Sequence, residues 1–584
     1  MSLEFRRSWI LLTCCCLIFA VESTTFGEEP LSRNRRDLMG THPDGQRKVL
    51  GLLNTNCWRC HQRNVSKDGA KSGDISDIAI SDIGSDHWIL GDELSTWENS
   101  DYHRQAFASL LNEQSKQIAK QLGVVDEKGE SLVHRDRRCL SCHSSMPVEQ
   151  MQPVIAMKYS GNVIEDETHR NPRYTIGVSC EACHGPAGNG PPGIDHAEGW
   201  EIAHARPYDP DNSQLWWRTL SPQDKFEKFG YWDVHSPRTQ ARICLSCHVG
   251  NAEQQKVITH EIYAAGHPPL PSFELSQFIE QMPRHWRRLD EKPENVRNEY
   301  LQRKSQIDPA KHDGSAFDSD ELAVTKATMI AALVTLEDSM QLSADLINSS
   351  ATSSQWPEFA NYACYACHHE LQRDGWRKQH RGLTTTPGRP TLHEWPLALS
   401  RVVAATLEDE GQQLTSEINA LAKALNSKPY GDSKELSIAA TALAKAAELQ
   451  SRKLASRKIH REQAVTFLNR IADVASVEVV DFDSARQFLW AYQRTDAQVS
   501  TIDRLGEKQL FQELEPTLLL SLKENRTSIS PVELYVGKDQ ITRKLHQSVV
   551  NYFSTLEKVA KYDPKSVQAE FQSLRNRKLD APKK

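Results

Sequence analysis

From Leu322 onward the apolar residues of this 584-residue chain recur at helical spacing. Met329, Leu333, Leu336, Met340 and Ile347 make one stripe, a pattern that belongs far more often to a core than to a row of metal ligands. After Pro396 the pattern continues in Leu414, Ile418, Leu421, Leu425; in Leu436, Ala440, Leu443, Ala447; in Ala464, Leu468, Ile471, Val474; and in Ile541, Leu545, Val549, Tyr552, Leu556, Val559. Four or more amphipathic helices of this kind predict a bundle. The stretch between them, Gly375 to Pro396 with Pro387, Gly388 and Pro390, reads as a linker or a connection lying over the preceding part. Residues 57 to 321 lack such a period. Pro and Gly clusters such as Gly185 to Gly193 and Gly266 to Pro271 break them up, and alternating apolar patterns are scarce. The chain is therefore expected to be mainly α with extensive irregular loops, short helices first and a helical bundle after.

The N-terminus has a different pattern. Arg6 and Arg7 precede an apolar run from Trp9 to Val21 and then a polar stretch, the layout of a secretory signal peptide over residues 1–27. That run is short for a bilayer crossing and no later stretch is longer, so no transmembrane segment is expected after its removal. Cys14 to Cys16 fit lipidation poorly, because Thr13 and the cysteines themselves are unsuited to precede a lipidated cysteine. With 39% hydrophobic residues the chain has enough apolar material for two or three cored domains. A net charge of −7 supplies no basic surface for nucleic acid and no polybasic patch for acidic lipid.

Cysteine arithmetic then changes the picture. Of 13 cysteines, three sit in the leader and the other ten form five Cys-x-x-Cys pairs, each followed at once by histidine. They are Cys57, Cys60, His61; Cys139, Cys142, His143; Cys180, Cys183, His184; Cys244, Cys247, His248; and Cys364, Cys367, His368. Chance would give roughly 0.01 such motifs per chain. The chemistry explains the spacing: two thiols add to the two vinyl groups of one haem, and the adjacent histidine lies under the iron as its axial ligand. Structural zinc would consume two pairs per site and leave one over, without a histidine after each. A redox dithiol or a disulfide framework gives no reason for the five histidines either. Five haem c groups are the expected cofactors, attached after export. The acidic loop from Ser72 to Asp86, with Asp74, Asp77, Asp82 and Asp86, lacks the glycine and terminal glutamate of a calcium loop and reads as solvated.

Segments outside the motifs carry a family resemblance. Trp97, Ser100 and His103 in TWENSDYHRQAF, the stretch GVSCEACHGP at 177–186 with His196 beyond it, and THEIYAAGHPPLPSFEL at 259–275 with His260 and His267 resemble the cytochrome c-552/4 family of multihaem cytochromes. The resemblance spans roughly residues 50 to 370. It implies axial-ligand roles for His103, His196, His260 and His267. The chain differs in having five motifs rather than four or eight, a long insertion between His61 and Trp97, and a helical C-terminal part. A fifth distal ligand is expected at His369, which follows His368 and on a helical turn points about 100° away, toward a neighbouring haem. His87, His134 and His169 are the reserves; Met146 is badly placed for the second haem's other face.

Together these readings predict a signal peptide at 1–27, a pentahaem cytochrome domain at 28–395 and an α-helical domain at 396–584. The function expected is an exported electron carrier serving redox partner proteins with basic contact surfaces, since two ionised propionates per haem could add roughly ten negative charges to an already acidic chain. The alternative is an oxidoreductase acting on a small nitrogen or sulfur compound at one five-coordinate haem. The Cys-x-x-Cys-Lys motif that marks nitrite-reductase relatives is absent from the sequence. A third reading makes the helical domain a docking module.

Overall fold

Local sequence accounts for where the helices start and stop. The computed structural model describes residues 47, 49–50, 57, 61, 90–146, 176–190, 198–205, 217, 220–288, 291–298, 321–350, 356–368, 382–384, 386, 388–477, 481–499 and 563–576. The first part holds short helices: α1 (Glu93–Ser100), α2 (Ala106–Ser109), α3 (Glu113–Gln121), α4 (Arg137–His143), α5 (Cys180–His184), α6 (Trp200–Ala203), α7 (Pro222–Phe229), α8 (Pro237–His248), α9 (His260–Ala264) and α10 (Leu275–Gln281). Several of their starts carry side-chain caps. Asp136 accepts the Arg138 N–H at the start of α4, Ser221 accepts the Asp224 N–H before Pro222, and Thr259 accepts the Ile262 N–H at the start of α9.

Long helices follow: α11 (Ala323–Ser350), α12 (Trp395–Thr406), α13 (Gln412–Ser427), α14 (Ser433–Ala455), α15 (Arg461–Val477), α16 (Phe482–Val499) and α17 (Pro564–Asn576). The apolar stripes read from sequence at 329–347, 414–425, 436–447 and 464–474 lie on α11, α13, α14 and α15, while the 541–559 pattern lies outside the described residues. Helices α12 and α16 were not singled out by those stripes. Among the described residues no strand forms, only three isolated bridges, so the protein is mainly α with irregular connections. No described helix is long and apolar enough to cross a membrane.

One continuous apolar core joins the long helices. α11 lies along α14, and Leu333, Leu336, Leu421, Leu443, Leu468 and Phe488 are all fully buried in it. The core crosses position 395/396, since Leu333 and Leu392 before it and Leu397 and Val402 after it belong together. It also takes in Ala241 and Leu245 of α8 and Phe273 and Leu275 near α10. Elsewhere in the first part the apolar contacts are small and separate, such as Phe107 with Leu140 and Val133, or Trp200 with Phe229.

A buried ionic joint fixes α8 to the long helices. Glu337 of α11 is fully buried and accepts from both Arg238 and Arg242 of α8, and Arg238 also donates to Ser451 on α14. Burial lowers the Arg238 guanidinium to about 10, whereas Arg242, although also desolvated, is held up by Glu337. A second tie runs from α16, where Gln487 donates to the Phe273 carbonyl at 3.0 Å and the buried Arg486 lies over Trp490.

Candidate haem-ligand sites

The three middle motifs end helices. His143 is the last residue of α4, His184 of α5 and His248 of α8. The fifth motif lies on a 3-10 turn, Cys364–Ala366, with the His368 N–H bonded to the Cys364 carbonyl at 2.7 Å. That turn is held by the segment before α12, where Ala363 donates to Thr391 at 2.9 Å. Cys57 and His61 of the first motif are helical; Cys60 lies outside the described residues.

Two glycines of GVSCEACHGP allow the third motif its close neighbours. Gly177 has φ +81, and a Cβ there would stand 2.5 Å from the Arg104 carbonyl; next to it Val178 donates to the His103 carbonyl at 2.9 Å. Gly185, φ +88, ends α5 where a Cβ would meet the Gly230 carbonyl at 2.6 Å, and Trp232 donates to the His184 carbonyl at 3.0 Å. Inside this motif Glu181 is 3% exposed and accepts from Leu50 and Ala187, both at 2.9 Å, tying the third motif to the chain just before the first.

The motifs form neighbouring pairs. Cys57 and Cys180 pack on one small apolar cluster with Leu94 and Trp97. Cys183 interacts with Cys244, and Cys142 is hydrogen bonded to Cys247. The first motif thus adjoins the third, the third the fourth, and the fourth the second. Tyr263, between His260 and His267, interacts with Cys364 of the fifth.

Facing histidines provide the central observation. His61 and His204 have ring centroids 6.2 Å apart with planes at 17°. His260 and His368 are 6.3 Å apart at 20°. His143 and His267 are 6.5 Å apart at 83°, and His103 and His248 are 6.5 Å apart at 87°. Each pair combines a motif histidine with one from elsewhere in the chain. An iron between two imidazoles puts their centroids about 6.3 Å apart, from a metal–nitrogen bond of roughly 2.0 Å plus about 1.15 Å to the ring centre on each side. The residues present therefore fit a six-coordinate haem iron at four motifs.

His184 has different neighbours. Its ring lies 5.7 Å from Tyr231 and 6.1 Å from Trp200, and its Nδ1 is 3.3 Å from the Tyr231 hydroxyl. Among the described residues no histidine ring is paired with it in the manner of the other four. His196 and His369, expected from sequence as ligands, lie outside the described residues, as do His87 and His169. His204 was not among the candidates read from sequence. Its signal was weak: it sits on no recognisable motif, at the C-terminal cap of α6 in the stretch WEIAHARP.

Electrostatics at these rings suit neutral ligands. Burial lowers His248 and His267 to about 4 and His184 to about 3, so all three hold a free lone pair at neutral pH. His143 is lowered too, by the same desolvation. His103 goes the other way; burial would lower it, but its hydrogen bond to Asp101 prevails. Asp101 and Glu93 are held below the usual carboxylate range by His103 and His61, against the desolvation that would raise them. Burial pushes the thiols of Cys139, Cys183 and Cys244 up to about 12.

No curated protein and no solved structure matches the chain. Residues 91–185, which include the second and third motifs and both carboxylates that hold His61 and His103, match the family model of cytochrome c554 and c-prime. Over that segment the chain is similar to a family of c-type cytochromes, which supports covalently bound haem c and electron transfer.

Proposed function

We propose that this protein is an exported pentahaem electron carrier. Haem c supplies reversible one-electron chemistry at iron, tuned by its axial ligands. The chain's own residues would hold it through Cys57 and Cys60, Cys139 and Cys142, Cys180 and Cys183, Cys244 and Cys247, and Cys364 and Cys367. His61, His143, His184, His248 and His368 are the motif ligands. The opposing ligands are His204 toward His61, His267 toward His143, His103 toward His248, and His260 toward His368. The observation that carries this reading is that four motif histidines each face a second histidine at the spacing of a doubly ligated iron, which leaves no open position for a substrate.

The contiguity in space of the first, third, fourth and second motifs supports a path along the chain rather than isolated centres. Export is supported by the leader pattern at 1–27 and by the chemistry of haem attachment. In the two-part organisation the segment 28–395 carries the motifs, and the helices of 396–584 anchor it through the shared core. Redox partners would meet an acidic surface, so association should weaken as salt rises.

The oxidoreductase reading is favoured by one feature, His184, beside which Trp200 and Tyr231 rather than a histidine ring are packed. The carrier reading places His196 on that iron. Mass spectrometry of the mature protein, paramagnetic resonance of the oxidised form and carbon monoxide binding to the reduced form test these readings together. A carrier gives five covalent haems and little response to carbon monoxide; the two near-parallel and two near-perpendicular imidazole pairs give two distinct low-spin classes. One haem that binds carbon monoxide and turns over nitrite or hydroxylamine would transfer the assignment to the enzyme.

A further inference from the structure

Each ligand imidazole has a second nitrogen, and the group it meets sets both the tautomer and the basicity of the nitrogen left for iron. At three of the rings that group is a neutral backbone carbonyl. His143 Nδ1 is 2.7 Å from the Ala106 carbonyl, His204 Nδ1 2.9 Å from that of Trp200, and His267 Nδ1 2.7 Å from that of Pro268. At two rings it is a carboxylate. His61 Nδ1 is 3.0 Å from Glu93 Oε2 and His103 Nδ1 is 2.9 Å from Asp101 Oδ1.

Both carboxylates flank one eight-residue helix: Glu93 opens α1 and Asp101 follows its last residue. Neither can swing away easily. The other Glu93 oxygen accepts the Leu90 N–H at 2.6 Å, and Asp101, 4% exposed, also accepts the His103 N–H at 2.9 Å. Between them Trp97 donates to the Val178 carbonyl at 3.1 Å, fixing α1 against the third motif. Hydrogen bonds to an ionised acceptor are roughly twice as strong as neutral ones. A ring N–H drawn toward a carboxylate leaves the opposite nitrogen richer in electrons, which favours ferric over ferrous iron.

We infer that Glu93 and Asp101 are positioning residues that lower the reduction potentials of the haems held by His61–His204 and by His103–His248. The inference rests on the ligand reading above. It makes the first and fourth sites poorer electron acceptors than the second, while the third, whose histidine Nδ1 meets the Tyr231 hydroxyl, lies between them. An electron delivered to the third site would be retained there by its neighbours on both sides.

The test is a potentiometric titration of the haem-loaded full chain, followed by absorbance and paramagnetic resonance, with Glu93→Gln and Asp101→Asn. Asparagine still caps the turn at 101. Each variant should keep its low-spin signal and shift one haem positive, with a tenfold change in its oxidised-to-reduced ratio at fixed potential, about 59 mV for one electron. Glu93→Asp, which keeps the charge, should stay closer to the parent than Glu93→Gln. Intact low-spin signals with unmoved potentials in both amide variants overturn the inference while sparing the ligand reading. His61→Ala and His103→Ala should each abolish one low-spin component. If every component persists in both, the ligand reading falls and this inference with it.

Discussion

The described residues of the motif-bearing segment before α8 and the long helices from 323 to 499 are built on different principles. In the long helices one apolar core runs unbroken through Leu336, Leu421, Leu443, Phe467 and Phe488, all fully buried. In the motif-bearing segment the apolar clusters are small, and buried Asp101, Asp136 and Glu181 hold turns by accepting backbone N–H groups. A region with so little apolar contact of its own is expected to depend on what its cysteines and histidines bind. The helices depend on each other.

Withholding haem should break that comparison open most visibly. Hydrogen exchange on apoprotein should show residues 104–143 and 180–184 losing protection while α13, α14 and α15 keep theirs. Simultaneous loss of protection in both regions would mean that they fold as one unit and that the contrast drawn from their packing is wrong. Attachment to the helices is the next test, because α8 is bonded to α11 through Glu337. Glu337→Ala leaves Arg238 and Arg242 buried without their carboxylate and should cost about 3–5 kcal/mol in chemical denaturation. Glu337→Gln should cost less, and equal losses in the two variants would show that charge is unimportant at this joint.

A smaller, pH-dependent effect belongs to the helices alone. Asp481 is buried at the start of α16, where its side chain accepts the Ser484 N–H at 2.7 Å; burial, together with Glu394 and Asp483, pushes it up to about 7. With the native group raised above the unfolded one, near 3.9, the native state binds the extra proton between about pH 4 and 7. Stability is therefore lost as pH rises through that window, with a slope of at most about 1.4 kcal/mol per pH unit. Asp481→Asn, which still caps the helix, should remove this slope in thermal melts at pH 4.5 and 7.5. A variant that keeps the parent's pH dependence would assign it to another group.

Legibility in the sequence followed the range of the interaction. The stripes at 329–347 and 436–447 announced α11 and α14 because a helix face is a local pattern of period 3.6. Helix α16 was less legible, for Arg486 and Gln487 are polar residues on its buried face, and only the Phe273 segment explains them. The continuity of the core across position 395 was hidden for a similar reason. Leu333 and Val402 are far apart in the chain, and the Pro- and Gly-rich stretch between them suggests separation, yet the bridge from Tyr362 to Leu392 lies directly against the fifth motif.

The sequence by itself determined the covalent chemistry, because two thiols and an axial nitrogen must reach one haem within five residues and no distant part of the chain can alter that. It also pointed to His103, His260 and His267 through the segments around them. Only the tertiary structure decided which histidine faces which motif. His103 meets His248 and His260 meets His368, more than a hundred positions away in each case, and His204 rather than a nearer residue meets His61. The reason is physical: the spacing of two rings that are distant in sequence is set by the path of the backbone between packed helices, not by neighbourhood along the chain.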